Sequence, residues 1–356
     1  MQDIDDAVRA HERWMRGLLG RDLVVGDLDA KHRGMRKSPF IFLRATYFRW
    51  AETILETCPE LGAAPKVLAI GDIHVENFGT WRDAEGRLVW GVNDFDEAAP
   101  MPYALDLVRL CTSAMLAKAE RAPEPKELAA AVLRGYGAGL DAPAPVVLEQ
   151  GWKWLRAEAL VAEADRAKLW RRFEALRDGP VRKRFRDALR GAMPVGAAID
   201  AVAPRVAGMG SLGRPHFVAR ATWRGGPLLR EVKALLPSAW SRAHRGGDAT
   251  IHAGVIAEGA ARAPDPFFEV TNGLAVRRLS PNNRKIALGD MAGPMLSGRM
   301  LEAMGRDVAG CHASDPARLD AVRADVGGRK AGWLARAARD AARAVIADHK
   351  AYRERG

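Results

Sequence analysis

Apolar residues follow two different periods along the chain, and the change between them predicts its organisation. After Ser38 and Pro39 the stretch "FIFLRATYFRWAETILE" has helical spacing, with serine as N-cap and proline at the first helical position. Helical spacing returns from Pro102 to about residue 190, and from about residue 295 to the end. Between these parts, "HFVARATWRGGPLLREVKAL" and "FFEVTNGLAVRRLS" alternate as two antiparallel hairpins, the second around Asn272-Gly273. We therefore predict an α+β chain.

Two short apolar strands each lead into a cluster of acidic and amide side chains. "KVLAI" ends before Asp72, "RLVWGV" ends before Asp94, and the linking "TWRDAEG" contains Gly86, which suits a turn. We expect the two strands to be joined through this turn. Further on, "AMPVGAAIDAVAP" is predicted to be a linker and "IHAGVIAEGAARA" a single helix.

Composition indicates a folded protein. Of 356 residues, 48% are hydrophobic, which is enough for a sizeable core. No run of about 18 apolar residues is present, and the N-terminal stretch is amphipathic rather than a secretory signal, so we expect a cytoplasmic protein without membrane contact. Three cysteines without a CxxC pair argue against a disulfide framework or a cysteine-rich zinc site.

The formal charge of +11, from 55 Lys plus Arg against 44 Asp plus Glu, favours phosphorylated or polyanionic ligands. The arginines that contribute most of this charge are scattered over predicted helices, as in "LWRRFEALRDGPVRKRFRDALRGA". Aromatic residues are not interleaved with them. A stacking platform for bases needs such aromatics, so nucleic acid is not favoured as a partner.

The acidic clusters fit two kinds of site. Asp72 and His74 could open a two-metal phosphoesterase, or Asp72 and Asn77, five apart, could belong to the catalytic loop of a phosphotransferase. The phosphoesterase needs further ligand clusters from later loops, and the remaining histidines are isolated in sequence. It is therefore the weaker hypothesis.

A later glycine-rich string favours the phosphotransferase. "GMGSLG", from Gly208 to Gly213, matches G-x-G-x-x-G, a weak signal alone, but β-type residues rather than a helix follow it. That is the setting of a kinase glycine-rich loop, in which Gly208, Gly210, Ser211 and Gly213 would lie over nucleotide phosphates. Lys233, in the second strand of the following hairpin, would bind the phosphates, with Glu258 as its helix partner.

This template assigns roles to the acidic clusters. Asp72 would accept the proton of the attacking hydroxyl, while Asn77, Asp94 and Asp96 would hold Mg²⁺ through oxygen ligands. Asp106, in the helix that follows, is expected to support the loop around Asp72 by hydrogen bonds. Each residue alone could be an ordinary turn or capping residue, and their combination carries the hypothesis.

Two resemblances sharpen it. "GDIHVENFG" and "VNDFDEA" resemble the loops of aminoglycoside phosphotransferases and choline kinases, within the protein-kinase-like superfamily. In addition "SPFIFLRA", "GDIHVENFG", "NDFDEA", "DLVRL", "GMGSLG" and "EVKALLPSA", in this order, are similar to the bacterial family called domain of unknown function 2252. This second resemblance extends from about residue 34 to 350.

The order of the motifs departs from that of ordinary kinases, because the glycine loop and Lys233 come after Asp72. The superfamily resemblance therefore implies a bilobal, circularly permuted kinase-like fold, with a largely helical large lobe and a small antiparallel β lobe. The predicted parts are residues 1–200 with the catalytic cluster, 201–284 as the β-rich nucleotide-binding part, and 285–356 as helices returning to the large lobe.

The leading functional hypothesis is ATP- and magnesium-dependent transfer of a phosphoryl group to a small-molecule hydroxyl, with a protein as a second possible acceptor. Two alternatives use the same fold: a non-catalytic nucleotide-binding module, and transfer of AMP. The sequence identifies neither the acceptor nor the transferred group. If the hypothesis holds, we expect Lys233 within about 10 Å of Asp94, since both must reach one triphosphate.

Overall fold

The computed structural model describes residues 3–117, 123–206, 208–244, 246–284 and 296–355. Its α-helices are α1 (Ile4–Leu19), α2 (Val25–Met35), α3 (Pro39–Ala45), α4 (Tyr47–Thr57), α5 (Ala104–Leu116), α6 (Pro125–Asp141), α7 (Lys153–Ala159), α8 (Glu163–Glu174), α9 (Lys183–Gly191), α10 (Ala239–His244), α11 (Ala253–Ala257), α12 (Gly298–His312), α13 (Leu319–Gly328) and α14 (Trp333–Glu354). In the described residues, no helix is both long and apolar enough to cross a bilayer.

The strands of the described residues form three antiparallel sheets, which confirms the mixed α+β class. They are β1 (Lys66–Ala69), β2 (Phe78–Arg82), β3 (Leu88–Val92), β4 (Ala99–Pro102), β5 (Val146–Val147), β6 (Ala198–Pro204), β7 (His216–Trp223), β8 (Gly226–Ala234), β9 (Glu269–Thr271) and β10 (Leu274–Leu279). β1 pairs with β4, β2-β3-β5 form a second sheet, and β6-β7-β8-β10-β9 form a third sheet of five strands.

Turn residues account for both hairpins of the five-stranded sheet. Arg224 and Gly225 have φ of 48° and 78° between β7 and β8, and Asn272 and Gly273 have φ of 50° and 70° between β9 and β10. Positive φ at both central residues matches the right-handed twist of the flanking strands. The predicted hairpins are confirmed.

The two largest clusters of buried hydrophobic side chains in the described residues lie in different parts of the fold. The larger core contains α3 to α6, β1 to β4 and the C-terminal helices, with fully buried Trp90 and Tyr136 among its largest side chains. A smaller core covers one face of the five-stranded sheet with side chains from α9, α1 and α2. α1 enters both cores, through Val8 in the larger and Met15 in the smaller, and so connects the sheet to the helical part.

Three local predictions need correction. The helix after Ser38 does begin with a Ser38 N-cap and Pro39, but it is divided at Thr46 into α3 and α4. The stretch predicted to be a linker contains β6, which pairs with β7. The predicted helix around Gly254 is only the five residues of α11. The predicted boundary at residue 285 lies outside the described residues.

The strands before the acidic clusters pair differently from the prediction. Residues expected in the turn form β2, so β2 and β3 make the hairpin while β1 pairs with β4. The turn is shorter because Asp83 Oδ1 accepts the N–H groups of Glu85 and Arg87, and Gly86 has φ of 75°. Asp72 still follows β1 and Asp94 still follows β3.

Candidate functional site

The loop of residues 70–77, which carries Asp72, is held by a buried side chain of α5. Asp106 accepts the N–H groups of Ile70 at 2.7 Å and Gly71 at 3.0 Å. Its Oδ2 also lies 2.9 Å from His312 Nε2 on α12, and both side chains are fully buried. The expected support of this loop by Asp106 is confirmed, and it extends to a second helix.

Asp72 is bound by an arginine of α5, the helix that also carries Asp106. Arg109, 0% exposed, donates from Nε at 3.1 Å and from Nη2 at 2.5 Å to Asp72 Oδ1, and its guanidinium lies over the rings of Tyr47 and Trp50. Burial raises the pKa of Asp72 from 3.8 to about 6, although Arg109 acts in the opposite direction. A carboxyl group with this pKa is ionised at neutral pH and still basic enough to accept a proton.

The two acidic clusters meet at Lys233 of β8. Lys233 Nζ is 3.1 Å from Asp94 Oδ1 and 2.5 Å from Asp96 Oδ1, far closer than the expected limit of about 10 Å. Asn77 Nδ2 donates to the backbone oxygen of Asp72 at 2.7 Å. The structure thus gathers residues from the two clusters and from the five-stranded sheet, as the sequence motifs suggest.

A second cation, Arg214, joins the acidic segment after β3 to the segment after the glycine loop. Its Nη2 donates to Glu97 Oε1 at 2.6 Å, and its Nη1 lies 3.6 Å from Asp96 Oδ2. Burial and the neighbouring Asp94 raise the pKa of Asp96 to about 6, while Lys233 and Arg214 lower it. Two cations therefore lie among three carboxylates.

The glycine loop, residues 208–213, lies directly against the loop of Asp72. A Cβ atom on Gly210 would be 3.1 Å from Arg44 O and 3.2 Å from Asp72 Oδ2. Gly208 and Gly213 have φ of 73° and 94°, which side chains other than glycine rarely adopt. Glycine is thus required for the conformation at both ends of the loop and for close approach in its middle.

Two cavities share Asp94 as a wall residue. The small cavity, about 50 Å³, is lined by Asp72, Asn77, Asp94, Asp96, Gly208, Gly210 and Ser211 among others. The large cavity, about 310 Å³, lies between the hairpin β2-β3 and the five-stranded sheet, with walls that include Trp81, Phe95, Phe173 and Phe268. Arginines also line it: Arg205, Arg262, Arg277, Arg278 and Arg284.

The expected pairing of Glu258 with Lys233 is not found, and this assignment is corrected. Among the described residues, the ion pairs of Lys233 are those with Asp94 and Asp96. Glu258 is the exposed C-cap residue of α11, which ends at Ala257. The predicted helix is too short to carry Glu258 towards the sheet.

The three side chains predicted to bind Mg²⁺ lie together on the small cavity. Asn77, Asp94 and Asp96 all line it, which is the donor chemistry that Mg²⁺ prefers. Within the described ranges, no group of three or more His, Cys, Asp and Glu side chains is arranged as a metal site. A Mg²⁺ site at this cavity would therefore need Asn77 as a third protein ligand beside Asp94 and Asp96.

Several residues of the site were missed by sequence reasoning. Arg109 could have been inferred, because it is three residues after Asp106 and so lies on the same face of α5. Glu97 lies within the quoted motif "NDFDEA", and Arg214 directly follows the glycine loop. Lys31 of α2, which also lines the small cavity, has no local sequence signal, because a fold with the N-terminal helices placed at the site has to be known first.

Comparison with known proteins agrees with one of the two resemblances. The family model described as "uncharacterized protein conserved in bacteria (DUF2252)" matches residues 24–194 and 186–355. No curated protein and no solved structure matches the chain. The two matched segments cover most of the sequence, and the chain therefore belongs to the DUF2252 family.

Proposed function

We propose that this protein is an ATP- and magnesium-dependent phosphotransferase with a circularly permuted, bilobal protein-kinase-like fold. The observation that carries the proposal is the pair of contacts from Lys233 to Asp94 and Asp96, two carboxylates that line the small cavity together with Asp72 and the glycine loop. In kinases, a strand lysine and a metal-binding aspartate meet across the cleft that holds the triphosphate. Residues 139 apart in sequence supply both groups here.

The proposed permutation follows from the order of these elements. The loop of Asp72 and the acidic segment after β3 come first, followed by β6, the glycine loop and the hairpin β7-β8 with Lys233. β10 then leads to α12, which contacts both β1 and β3. Such an order is physically acceptable, because catalysis depends on where the ligating groups lie in space, not on their order in the chain.

The large cavity is suited to the nucleoside of the donor. Its volume of about 310 Å³ and its aromatic walls offer apolar surface for a base, and it reaches Asp94. A nucleotide in this cavity would extend its phosphates past Asp94, which contacts Lys233, towards the small cavity that the glycine loop lines. The proposed donor site therefore spans the two cavities.

The small cavity provides the groups for transfer. Asn77, Asp94 and Asp96 would hold Mg²⁺, which when bound would neutralise phosphate charge. The acceptor oxygen would form the bond to the γ-phosphorus, the bond from that phosphorus to the bridging oxygen would break with its electron pair leaving on ADP, and the hydroxyl proton would pass to Asp72. Arg109 fixes the position of the Asp72 carboxylate through its two hydrogen bonds.

The test compares Asp94→Asn with the wild type. We expect the variant to lose magnesium-dependent ATP binding, measured by titration calorimetry, and to lower ADP production ~100-fold or more, because it removes a carboxylate that would hold the metal ion at the phosphates. Asp320→Asn is the matched control, since the Asp320 side chain is 95% exposed and remote from the site in sequence and contacts. Equal binding and turnover in Asp94→Asn and wild type would refute the proposal.

Asp72→Ala distinguishes this activity from the two alternatives. A phosphotransferase should bind ATP with or without Asp72 but lose turnover in the variant. ATP binding with no turnover in either protein would indicate a non-catalytic module. ATP labelled on the α-phosphate or the γ-phosphate reports which group is transferred, and incorporation of the α label would indicate AMP transfer.

A further inference from the structure

One buried amine of the small cavity has no role in the reaction described above. Lys31 lies on α2, is 4% exposed and lines the cavity together with Asp72. Within the part of the chain that the structure describes, its ammonium group has no hydrogen bond or ion pair. Burial of a charge without a partner is costly, so a free ammonium group beside a reactive carboxylate points to an anionic ligand.

The other cations of this cavity are already bound. Arg44 contacts Glu76, and Arg214 is held by Glu97 and lies near Asp96. The imidazole of His11 stacks on Phe48 at a ring-centroid distance of 4.1 Å, and burial lowers its pKa well below 6.5, so it is neutral at pH 7. In the described lining, Lys31 therefore supplies the positive charge that is not already paired with a carboxylate.

The position of Lys31 relates it to the acceptor and not to the nucleoside of the donor. Asp94 lines both cavities, whereas Lys31 and Asp72 line only the small one. A volume of about 50 Å³ admits a group of a few non-hydrogen atoms and not a nucleoside. An entering group of this size would lie beside the carboxylate assigned to the acceptor hydroxyl.

We propose that Lys31 binds an anionic group, a carboxylate or a phosphate, on a small hydroxylated acceptor, and so holds its hydroxyl near Asp72. This inference rests on the proposed phosphotransferase function and specifies its substrate class. The ammonium group acts as a point charge with several donors, which suits a tetrahedral or planar oxyanion. Transfer of the γ-phosphoryl group then proceeds as described for Asp72.

The protonation of Lys31 gives the site a pH dependence. Burial and the charge of Arg214 lower the pKa of Lys31 to about 8, against the opposing effect of Glu12, Glu97 and Asp72. Those four groups face Lys31 from α1, from the loop of Asp72, from the segment after β3 and from the segment after the glycine loop. An anion held by Lys31 should therefore bind well at pH 7 and more weakly above pH 8.

The experiment measures the binding of sulfate and D-glycerate, with glycerol as the uncharged analogue, by calorimetry at constant ionic strength. We expect wild type to bind both anions, and Lys31→Met to lose ~10-fold or more in affinity, the usual effect of losing a charge-assisted hydrogen bond. Lys350→Met is the matched control, because the Lys350 side chain is 75% exposed and the variant removes the same charge from the whole protein. Its anion affinity should equal that of wild type.

A second measurement uses the charge-retaining variant. Sulfate stays dianionic from pH 7 to 9, so its affinity for wild type should fall over this range, whereas Lys31→Arg should keep its affinity. Lys31→Arg keeps the positive charge in the folded protein, so this comparison remains decisive if Lys31→Met does not fold. Equal pH dependence in the two proteins would overturn the proposal, as would unchanged sulfate affinity in Lys31→Met.

The affinity for ATP with Mg²⁺ separates this proposal from the one it rests on. Lys31→Met should leave that affinity within ~2-fold of wild type, since Lys31 is placed on the acceptor side; an equal loss of ATP and sulfate affinity would overturn the assignment to the acceptor. Wild type that binds sulfate through Lys31 but shows no magnesium-dependent ATP binding would refute the phosphotransferase function and confirm Lys31 as an anion-binding residue.

Discussion

The two loops that face each other across the small cavity are held in different ways. The loop of residues 70–77 is fixed from beneath by fully buried Asp106 and by Arg109, both on α5. The glycine loop is held mainly at its end, where Gly213 is buried and its oxygen accepts the N–H of Val24 at 3.0 Å, whereas Gly208 at its start is exposed. One loop is part of the large core along its length, and the other has an exposed start.

This difference predicts that substitutions at the two loops should affect different properties, namely stability at one and ligand affinity at the other. Buried polar groups that lose a partner leave others unsatisfied, and the cost falls on the folded state. A glycine with positive φ at the exposed start of a loop, such as Gly208, affects mainly the conformation of that loop. Variants below the loop of Asp72 should therefore lower stability, and variants at the start of the glycine loop should lower ligand affinity more than stability.

The largest effect is expected for Asp106→Ala. The change leaves two backbone N–H groups and the His312 ring without their shared acceptor, and we expect a loss of about 3 kcal/mol in the free energy of unfolding. Urea denaturation followed by circular dichroism measures it. Asp320→Ala, on an exposed carboxylate, is the control and should stay within about 0.5 kcal/mol of wild type. Similar stability of the two variants would show that the buried network does not hold the loop.

An intermediate effect on stability and turnover is expected when the pH changes the protonation of Asp72. The pKa of Asp72 is raised from 3.8 to about 6, so the folded protein binds this proton more tightly than the unfolded chain does. Its contribution to stability is present below about pH 4 and is lost as the pH rises through about 6. Turnover should change in the opposite direction, because Asp72 must be ionised to accept a proton: we expect it to fall ~10-fold from pH 7 to pH 5 and further below.

Both parts of this prediction can be checked on the same preparations. Thermal unfolding between pH 4 and 7 should show a weaker pH dependence in Asp72→Asn than in wild type, since the variant lacks one titrating group. Asp96, whose pKa is also about 6, remains in both proteins and contributes equally. Turnover of wild type that stays constant between pH 5 and 7 would exclude Asp72 as the proton acceptor.

The sequence predicted those parts of the fold whose signals are local. The N-cap Ser38, the turn at Asn272-Gly273 and the strands before the acidic clusters each depend on neighbouring residues. β6 was missed because "AIDAVAP" contains little of the β-branched and aromatic content typical of strands, and its pairing with β7 provides the missing stabilisation.

In the candidate site too, the sequence predicted the residues that are close in sequence and missed those brought in by long-range packing. Asp72, Asn77, Asp94 and Asp96 lie within 25 residues of one another, so their proximity could be read from short motifs. Placing Lys233 with them required a template, and Glu258 was a wrong choice of partner because the length of α11 could not be judged from its sequence. Lys31 and its cavity depend on the packing of α2, which no local pattern shows.

The smallest effect is expected for Gly208→Ala, and it is the sharpest test of the difference between the two loops. With φ of 73°, Gly208 has a backbone conformation that costs alanine about 1 kcal/mol, and its Cβ would meet only Ser211 Oγ at 3.0 Å. The loop can relax away from this strain because Gly208 is exposed, so we expect the free energy of unfolding to fall by about 1 kcal/mol or less.

The affinity of the same variant for ATP with Mg²⁺ should fall by a larger factor, ~10-fold, since the relaxed backbone no longer points its N–H groups at the phosphates. Gly137→Ala is the control: it lies within α6 with open space at its Cβ, and alanine should raise stability by about 0.5–1 kcal/mol without changing ATP affinity. A Gly208→Ala protein that is strongly destabilised but binds ATP normally would mean that the glycine loop belongs to the structural core after all, and the contrast between the two sides of the cavity would be lost.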